Sequence, residues 1–344
     1  MKLDILKENH ARHGGLPGFQ GAEPVVSDRG WSVEAKDNRL EALEAEIRRT
    51  TIVESSRLSK ALGARVILAN EAFQHTGSFK FRAAYNVVMR AEADLFLTAS
   101  SGNFGQALAY ACQLLGKSCI VVMPSNSSQV KVDAVQGYGG KVELIDLTAQ
   151  SRWDRVWELA KEHPDAYVAS PYDDPYVIEG NSSLGRELAA LDYDLAGVLV
   201  PIGGGGLASG VVAGLREAKN SVPVIGAEPL MANDAARSLK EGQIVSNETE
   251  PQTIADGART ISLGDRNWEI LRTGLEKIVE VPEEKIAEGL RALFSMANLK
   301  AEPTGALAVG AILTEAKSFA GQTVCCVVSG GNVDPKVYSR LLLE

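Results

Sequence analysis

From about Asp94 onward, short runs of β-branched and apolar residues alternate with longer stretches whose apolar positions recur at helical spacing. DLFLTAS, SCIVVM and KVELID read as strands, while GQALAYACQLLG, the stretch through VKVDAVQGYG, and SRWDRVWELAKEH read as helices. Strands spaced by helices of this length predict a parallel sheet covered on both faces, with ligands gathering at the carboxyl ends of the strands. A second alternation starts at AGVLVPI, turns through Gly203, Gly204, Gly205 and Gly206, continues as LASGVVAGLREA and returns as VPVIGAE, which predicts a second sheet. Ahead of both, GGLPGF and Pro24 mark an irregular extension before the helix DNRLEALEAEIRRT, and no repeat or low-complexity tract is present.

Length turns this pattern into two closely apposed lobes, because 344 residues exceed the usual size of one domain. With 45% hydrophobic and 23% charged residues, the composition is that of a globular protein and excludes wholesale disorder or a fibre. A formal charge of -9, with no dense Lys/Arg run, argues against nucleic acid as a partner. MKLDILKENHARHGG lacks the apolar core of a signal peptide and no later segment is long enough to span a bilayer, so a cytoplasmic location is expected. Cys112, Cys119, Cys325 and Cys326 lack CxxC spacing and read as buried reduced thiols rather than a disulfide framework or zinc site. The four histidines lack HExxH spacing, which disfavours histidine-zinc hydrolysis.

Three segments carry candidate chemistry. In VILANEAFQHTGSFKFRAAYNVV a strand gives way to the Thr76-Gly77-Ser78 turn, then to Phe79, Lys80 and a helical pattern. A lysine at a helix start with apolar neighbours is pushed toward the neutral amine that attacks carbonyl carbon, although one such lysine also fits a snorkelling surface residue. The four glycines Gly203 to Gly206, between a strand and a helix, suit a nest of backbone N–H groups around an anion. A flexible turn explains the same letters, and Gly203, Gly205 and acidic Glu228 also imitate a dinucleotide fingerprint. Ser100, Ser101, Gly102 and Asn103 bring hydroxyls and free amides to a helix N-terminus that would receive a carboxylate, or simply cap the helix.

Gln74, Thr76, Gly77, Ser78, Phe79 and Lys80 match Q-x-T-G-S-F-K, and this segment resembles the cofactor-lysine motif of fold-type II pyridoxal phosphate enzymes, specifically the serine/threonine dehydratase and serine racemase group. PIGGGGLASG from Pro201 and SGGNV from Ser329 agree with the same group, as do TIADGARTISLG and AEPTGALA, so the resemblance runs from about Arg49 to Asp334. It implies an α/β, tryptophan synthase β-like fold of two parallel-sheet lobes with the cofactor between them. The expected division is 1-94 and 173-344 for the large cofactor-binding domain and 95-172 for the small substrate-closing domain.

The resemblance further implies pyridoxal 5'-phosphate on Lys80 beside Phe79 and Asn103, its phosphate on Gly203, Gly204, Gly205 and Gly206, and Ser329 at the pyridine nitrogen. Ser100, Ser101, Gly102, Asn103 and Phe104 would meet the substrate, and Ser101 would be the acid/base opposite Lys80 in a racemase. Glu228, Ala232 and Asp234 resemble a divalent-cation site for Mg2+ or Ca2+. The implied reaction is β-elimination from threonine, serine or a related hydroxy amino acid, giving a 2-oxo acid and ammonia, in a homodimer. Racemisation through Lys80 and Ser101, a nicotinamide-dependent oxidoreductase and an inactive ligand-binding relative stand as alternatives. The sequence departs from the group at Phe104, where His is usual, at Thr51-Ile52-Val53 and at Ala83. Phe104 is expected to make the β-side of the pocket more apolar than in a serine-specific enzyme and to favour threonine or a bulkier β-hydroxy amino acid.

Overall fold

The structure, a computed structural model, describes residues 38–100 and 102–343. Among the described residues ten strands form two sheets. The larger sheet has the order β1-β2-β10-β7-β8-β9, built from β1 (Thr51–Glu54), β2 (Arg65–Asn70), β7 (Gly197–Pro201), β8 (Val224–Pro229), β9 (Lys277–Val281) and β10 (Thr323–Val328). The smaller has the order β5-β4-β3-β6, from β3 (Leu95–Ala99), β4 (Ser118–Pro124), β5 (Lys141–Ile145) and β6 (Tyr167–Val168). Every pairing is parallel except β1 with β2, which is antiparallel at the edge.

Burial follows the letters. VILAN, GVLVP and the VCCVV of β10 are apolar at successive positions because helices cover both faces of the central strands, and all their residues are buried. Edge strands β1 and β5 are only partly covered and mix polar with apolar residues. The helices Lys80–Arg90, Pro175–Ala189 and Gly206–Glu217 pack in series against the large sheet, with Phe79, Leu184, Leu207 and Val211 in the core beneath them.

The predicted helix DNRLEALEAEIRRT is shorter than its pattern, Asn38–Glu46, because the chain must extend into β1 from Thr51. The extension with GGLPGF and Pro24 lies outside the described residues. Among the described residues no helix is long and apolar enough to cross a membrane.

Candidate active site

Three neighbouring strands, β2, β10 and β7, deliver three of the segments singled out above. Beyond β2 the chain turns through Gln74–Ser78 to Lys80; beyond β10 it enters Ser329-Gly330-Gly331-Asn332; beyond β7 it enters the four glycines. The first two loops are zipped together. Phe79 N donates to Ser329 O at 3.0 Å, Gly331 N donates to Gly77 O at 3.0 Å, and Ser78 pairs with Gly330 in an isolated bridge. Thr76 sits at φ 58, a left-handed conformation unusual for a β-branched residue, and Asn332 Nδ2 holds its carbonyl at 2.7 Å.

Lys80 is the first residue of its helix, as its position after the turn predicts. Its Nζ donates to Pro171 O at 2.5 Å and lies 4.9 Å from the Phe79 ring and 5.8 Å from the Phe104 ring. Burial pushes the amine down to about 8, and the nearby Glu302 carboxylate opposes that shift. Two residues on, Arg82 is fully buried and anchors the helix: it makes two bonds to Glu71, at 2.7 and 2.8 Å, and others to Glu187, Ser183 and the Arg48 carbonyl. All five guanidinium N–H groups are thereby used, which a buried arginine needs in order not to leave a desolvated donor.

In the glycine segment Gly205 adopts φ 93, open to glycine but strained for other residues, and precedes the helix Gly206–Glu217. A methyl group on Gly204 would lie 2.3 Å from the Tyr172 ring, so the ring packs directly on bare backbone. Ser329, 1% exposed, directly follows β10 and has a hydroxyl without a hydrogen-bond partner. A buried orphan hydroxyl is unfavourable unless something pairs with it. A pyridine nitrogen suits that hydroxyl, a phosphate suits the glycine nest, and a carbonyl suits the lysine amine, so these residues fit pyridoxal phosphate.

The Ser100 hydroxyl accepts from Gly105 N at 3.1 Å and Gly102 N at 3.4 Å, which is the capping role weighed above. Gly102 is exposed, with open space where a side chain would be. Ser101 lies outside the described residues. Asn103 starts the helix Asn103–Leu114 and donates to both oxygens of Glu302, at 2.9 and 3.1 Å, while its own oxygen accepts from Asn332 and Gln106. Phe104 is 1% exposed and belongs to an apolar cluster with Phe81, Val121 and Met123.

Glu302 stands in the string AEPTGALA, whose letters by themselves give it no chemical role. Burial first, and Asp256 next, push its carboxyl up to about 8, against Asn103, Lys131 and Lys80. Pro171 and Tyr172 carry no motif, and only the fold brings them to Lys80 and the glycines.

Glu228 is 1% exposed, and its two oxygens accept from the amides of Ala235, at 2.8 Å, and Ala236, at 2.9 Å. A carboxylate so engaged is not presented to a ribose, which removes the support for the dinucleotide reading. Asp234 accepts from Asn247 at 2.9 Å and has a second oxygen without a partner, and Ala232 is buried beside them. Burial together with Asp234 holds Glu228 well above the usual carboxylate range; burial pushes Asp234 up to about 7. Among the described residues no group of three or more His, Cys, Asp or Glu side chains is arranged to hold a metal ion. An open cleft of 660 Å³ lies on the outer side of the lysine turn, lined by Thr76, Gly77, Gln106, Tyr110 and Asn332 among others, and Lys80 is not part of its wall.

The chain resembles known proteins over most of its length. Residues 43–330 match the family model described as pyridoxal-phosphate dependent enzyme. The L-threo-3-hydroxyaspartate ammonia-lyase of Pseudomonas sp is 36% identical over 306 residues, 88% of this chain and 95% of that protein. The serine racemase of Schizosaccharomyces pombe is 34% identical, over 86% of this chain and 92% of its own length. The crystal structure of the T.th. threonine deaminase superposes with a TM-score of 0.81 at 38% identity, covering 87% of this chain and 99% of that one. The match over residues 43–330 takes in every strand of both sheets among the described residues, and on that ground the chain belongs to the pyridoxal-phosphate dependent enzyme family.

Proposed function

We propose that the protein is an ammonia-lyase that removes the β-hydroxyl and the amino group of a β-hydroxy amino acid, leaving a 2-oxo acid and ammonia. The observation that carries this reading is the unpartnered Ser329 hydroxyl, buried in the loop that is hydrogen-bonded to the lysine loop. Lys80 would hold the cofactor carbonyl, the backbone of Gly203, Gly204, Gly205 and Gly206 its phosphate, Ser329 its ring nitrogen, and Phe79 would pack beside it. When bound, pyridoxal phosphate supplies a carbonyl that captures the substrate amine and a conjugated ring that accepts the electron pair left at Cα.

The chain's own residues do the rest. With its amine near 8, Lys80 has a neutral fraction around neutral pH and can take the Cα proton as a general base. Phe79 and Phe104 keep that amine in an apolar setting. Glu302, pushed up to about 8, is mostly in its acid form at neutral pH and so does not add a full negative charge beside Lys80. Ser329 carries no charge, unlike a carboxylate, and as the partner of the ring nitrogen would leave that nitrogen unprotonated, which would favour prompt loss of the β-substituent. Water leaves across the Cα–Cβ bond, and the released enamine takes up water to give the 2-oxo acid and ammonia.

Threonine and serine are the proposed substrates, with 3-hydroxyaspartate added by the relatives named for it. Ser100, Ser101, Gly102 and Asn103 would bind the substrate carboxylate, and Phe104 would bound the β-side. Residues 95-172 would close over the substrate, a reading supported by the small sheet's strands falling between Leu95 and Val168. Racemisation through Lys80 and Ser101 is the second reading, favoured by relatives named serine racemase. Of Glu228, Ala232 and Asp234, proposed to hold a cation, Asp234 offers an unpartnered carboxylate oxygen while Glu228 spends both of its own on the Ala235 and Ala236 amides; if a cation binds, Mg2+ or Ca2+ should raise the Tm of the native protein and not of Asp234→Asn. A cytoplasmic homodimer completes the proposal, with four free buried thiols supporting a reducing compartment.

The deciding experiment is a spectrum paired with product analysis. The purified protein should show a visible band that borohydride removes and that Lys80→Ala lacks, and should release 2-oxo acid and ammonia in equal amounts from threonine or serine. D-amino acid without matching 2-oxo acid would turn the assignment to racemase. A colourless protein unaffected by added pyridoxal phosphate would sink it.

A further inference from the structure

Two fully buried asparagines, Asn267 and Asn181, reach the glycine segment from two different helices, Asp265–Gly274 and Pro175–Ala189. Asn267 Nδ2 donates to Gly204 O at 2.7 Å and to Tyr172 O at 3.0 Å. Asn181 Nδ2 donates to Gly206 O at 3.0 Å. In both residues the side-chain oxygen has no partner, so each is held in place by what its amide donates to. From these contacts we infer that Asn267 and Asn181 are positioning residues that hold the glycine segment in its anion-receiving form before any anion arrives. The inference rests on the assignment of Gly203–Gly206 to the cofactor phosphate.

The argument is one of peptide geometry. No peptide bond among the described residues is cis, and in a planar trans peptide the C=O of one residue and the N–H of the next point in opposite directions. Drawing the Gly204 carbonyl toward Asn267 therefore turns the Gly205 N–H the other way; drawing the Gly206 carbonyl toward Asn181 does the same for the Leu207 N–H. Amides in the first turn of the helix Gly206–Glu217 have no intrahelical acceptor and favour an anion. Glycine backbone is otherwise free to flip its peptides, and each flip would present a carbonyl oxygen to the phosphate instead. Gly264 N, at 3.2 Å from Gly204 O, reinforces the same orientation.

Residue type matters at position 267. An asparagine supplies two N–H donors to two carbonyl oxygens, whereas a carboxylate there would face both with lone pairs. The double contact also couples the segment to the Tyr172 backbone, whose ring covers Gly204, so one side chain fixes both the nest and its lid.

The test separates phosphate recognition from general scaffolding by titrating apo-protein with pyridoxal 5'-phosphate and with pyridoxal, which lacks the phosphate. Asn267→Ala should weaken pyridoxal phosphate about tenfold or more, the scale of a lost hydrogen bond to a charged group, and leave pyridoxal unchanged. Asn181→Ala should act in the same sense with a smaller loss, and stands in if Asn267→Ala does not fold. Equal weakening of both ligands, or an undiminished preference for the phosphate, would overturn the inference. Native protein that binds the two ligands equally would instead sink the assignment of the glycine segment to the phosphate, so the two failures are distinguishable.

Discussion

Lys80 Nζ donates a hydrogen bond of 2.5 Å to the carbonyl oxygen of Pro171. The next residue, Tyr172, lays its ring on Gly204 and gives its carbonyl to Asn267. A single dipeptide between β6 and the helix Pro175–Ala189 therefore touches the Lys80 amine at one end and the glycine segment at the other.

The amine and its acidic neighbour predict a pH dependence with opposite limbs in the apo-protein. Glu302 is raised from 4.5 to about 8, so the folded state binds more protons between those values and stability falls as pH rises through them. Lys80 is lowered from 10.5 to about 8, so the unfolded state binds more protons between about 8 and 10.5 and stability is regained there. Urea unfolding of apo-protein across this range should show the two groups' joint contribution lowest near pH 8. Glu302→Gln should flatten the acidic limb and, by removing the charge that opposes the Lys80 shift, make the basic limb start at lower pH; an unchanged acidic limb would contradict the assignment.

Ser329→Ala should have effects of opposite sign in the two forms of the protein. The hydroxyl is unpartnered without cofactor, so its removal costs the apo-protein nothing or stabilises it slightly. With cofactor bound, one hydrogen bond is lost, and affinity for pyridoxal phosphate should drop by about 1 kcal/mol, roughly fivefold. Calorimetric melting of both forms checks the split, and a variant equally destabilised in each would contradict it.

Gly204→Ala places a methyl group 2.3 Å from the Tyr172 ring. Overpacking of this kind costs about 1–3 kcal/mol, and the ring's displacement should appear as weaker cofactor binding as well. Relief of the thermal defect in Gly204→Ala combined with Tyr172→Ala would show that the clash, rather than backbone conformation, is responsible.

Phe104→His tests substrate choice. The ring centroid lies 5.8 Å from the Lys80 amine, and replacing it by imidazole adds polarity on that side. The ratio of kcat/KM for serine over threonine should rise by roughly an order of magnitude, within the range a single pocket contact provides. An unchanged ratio would mean that Phe104 acts only as core.

Much of this architecture is legible locally. The alternation of DLFLTAS, SCIVVM and KVELID with amphipathic stretches corresponds to β3, β4 and β5 and their helices, and the lysine, glycine and Ser329 segments each fall at a strand end. What local periodicity cannot carry is strand order: β2, β10 and β7 are neighbours although the chain visits them far apart. Nor does it reveal β6, only Tyr167–Val168, or the antiparallel β1, both too short to show a period. Tyr172, Asn267 and Glu302 were illegible for a different reason: each acts through a tertiary contact with backbone or side chains that its own neighbourhood in sequence does not announce.

The place of β10 in the sheet bears on how the protein is made. It is the last of the described strands along the chain, yet it fills the slot between β2 and β7. Until it leaves the ribosome, two half-sheets present unpaired edges at β2 and β7, the form of backbone that invites pairing with other chains. The loop that carries Ser329 therefore meets the lysine loop only once β10 has been threaded into the middle of the sheet, so assembly of the site waits on the closing of these two edges.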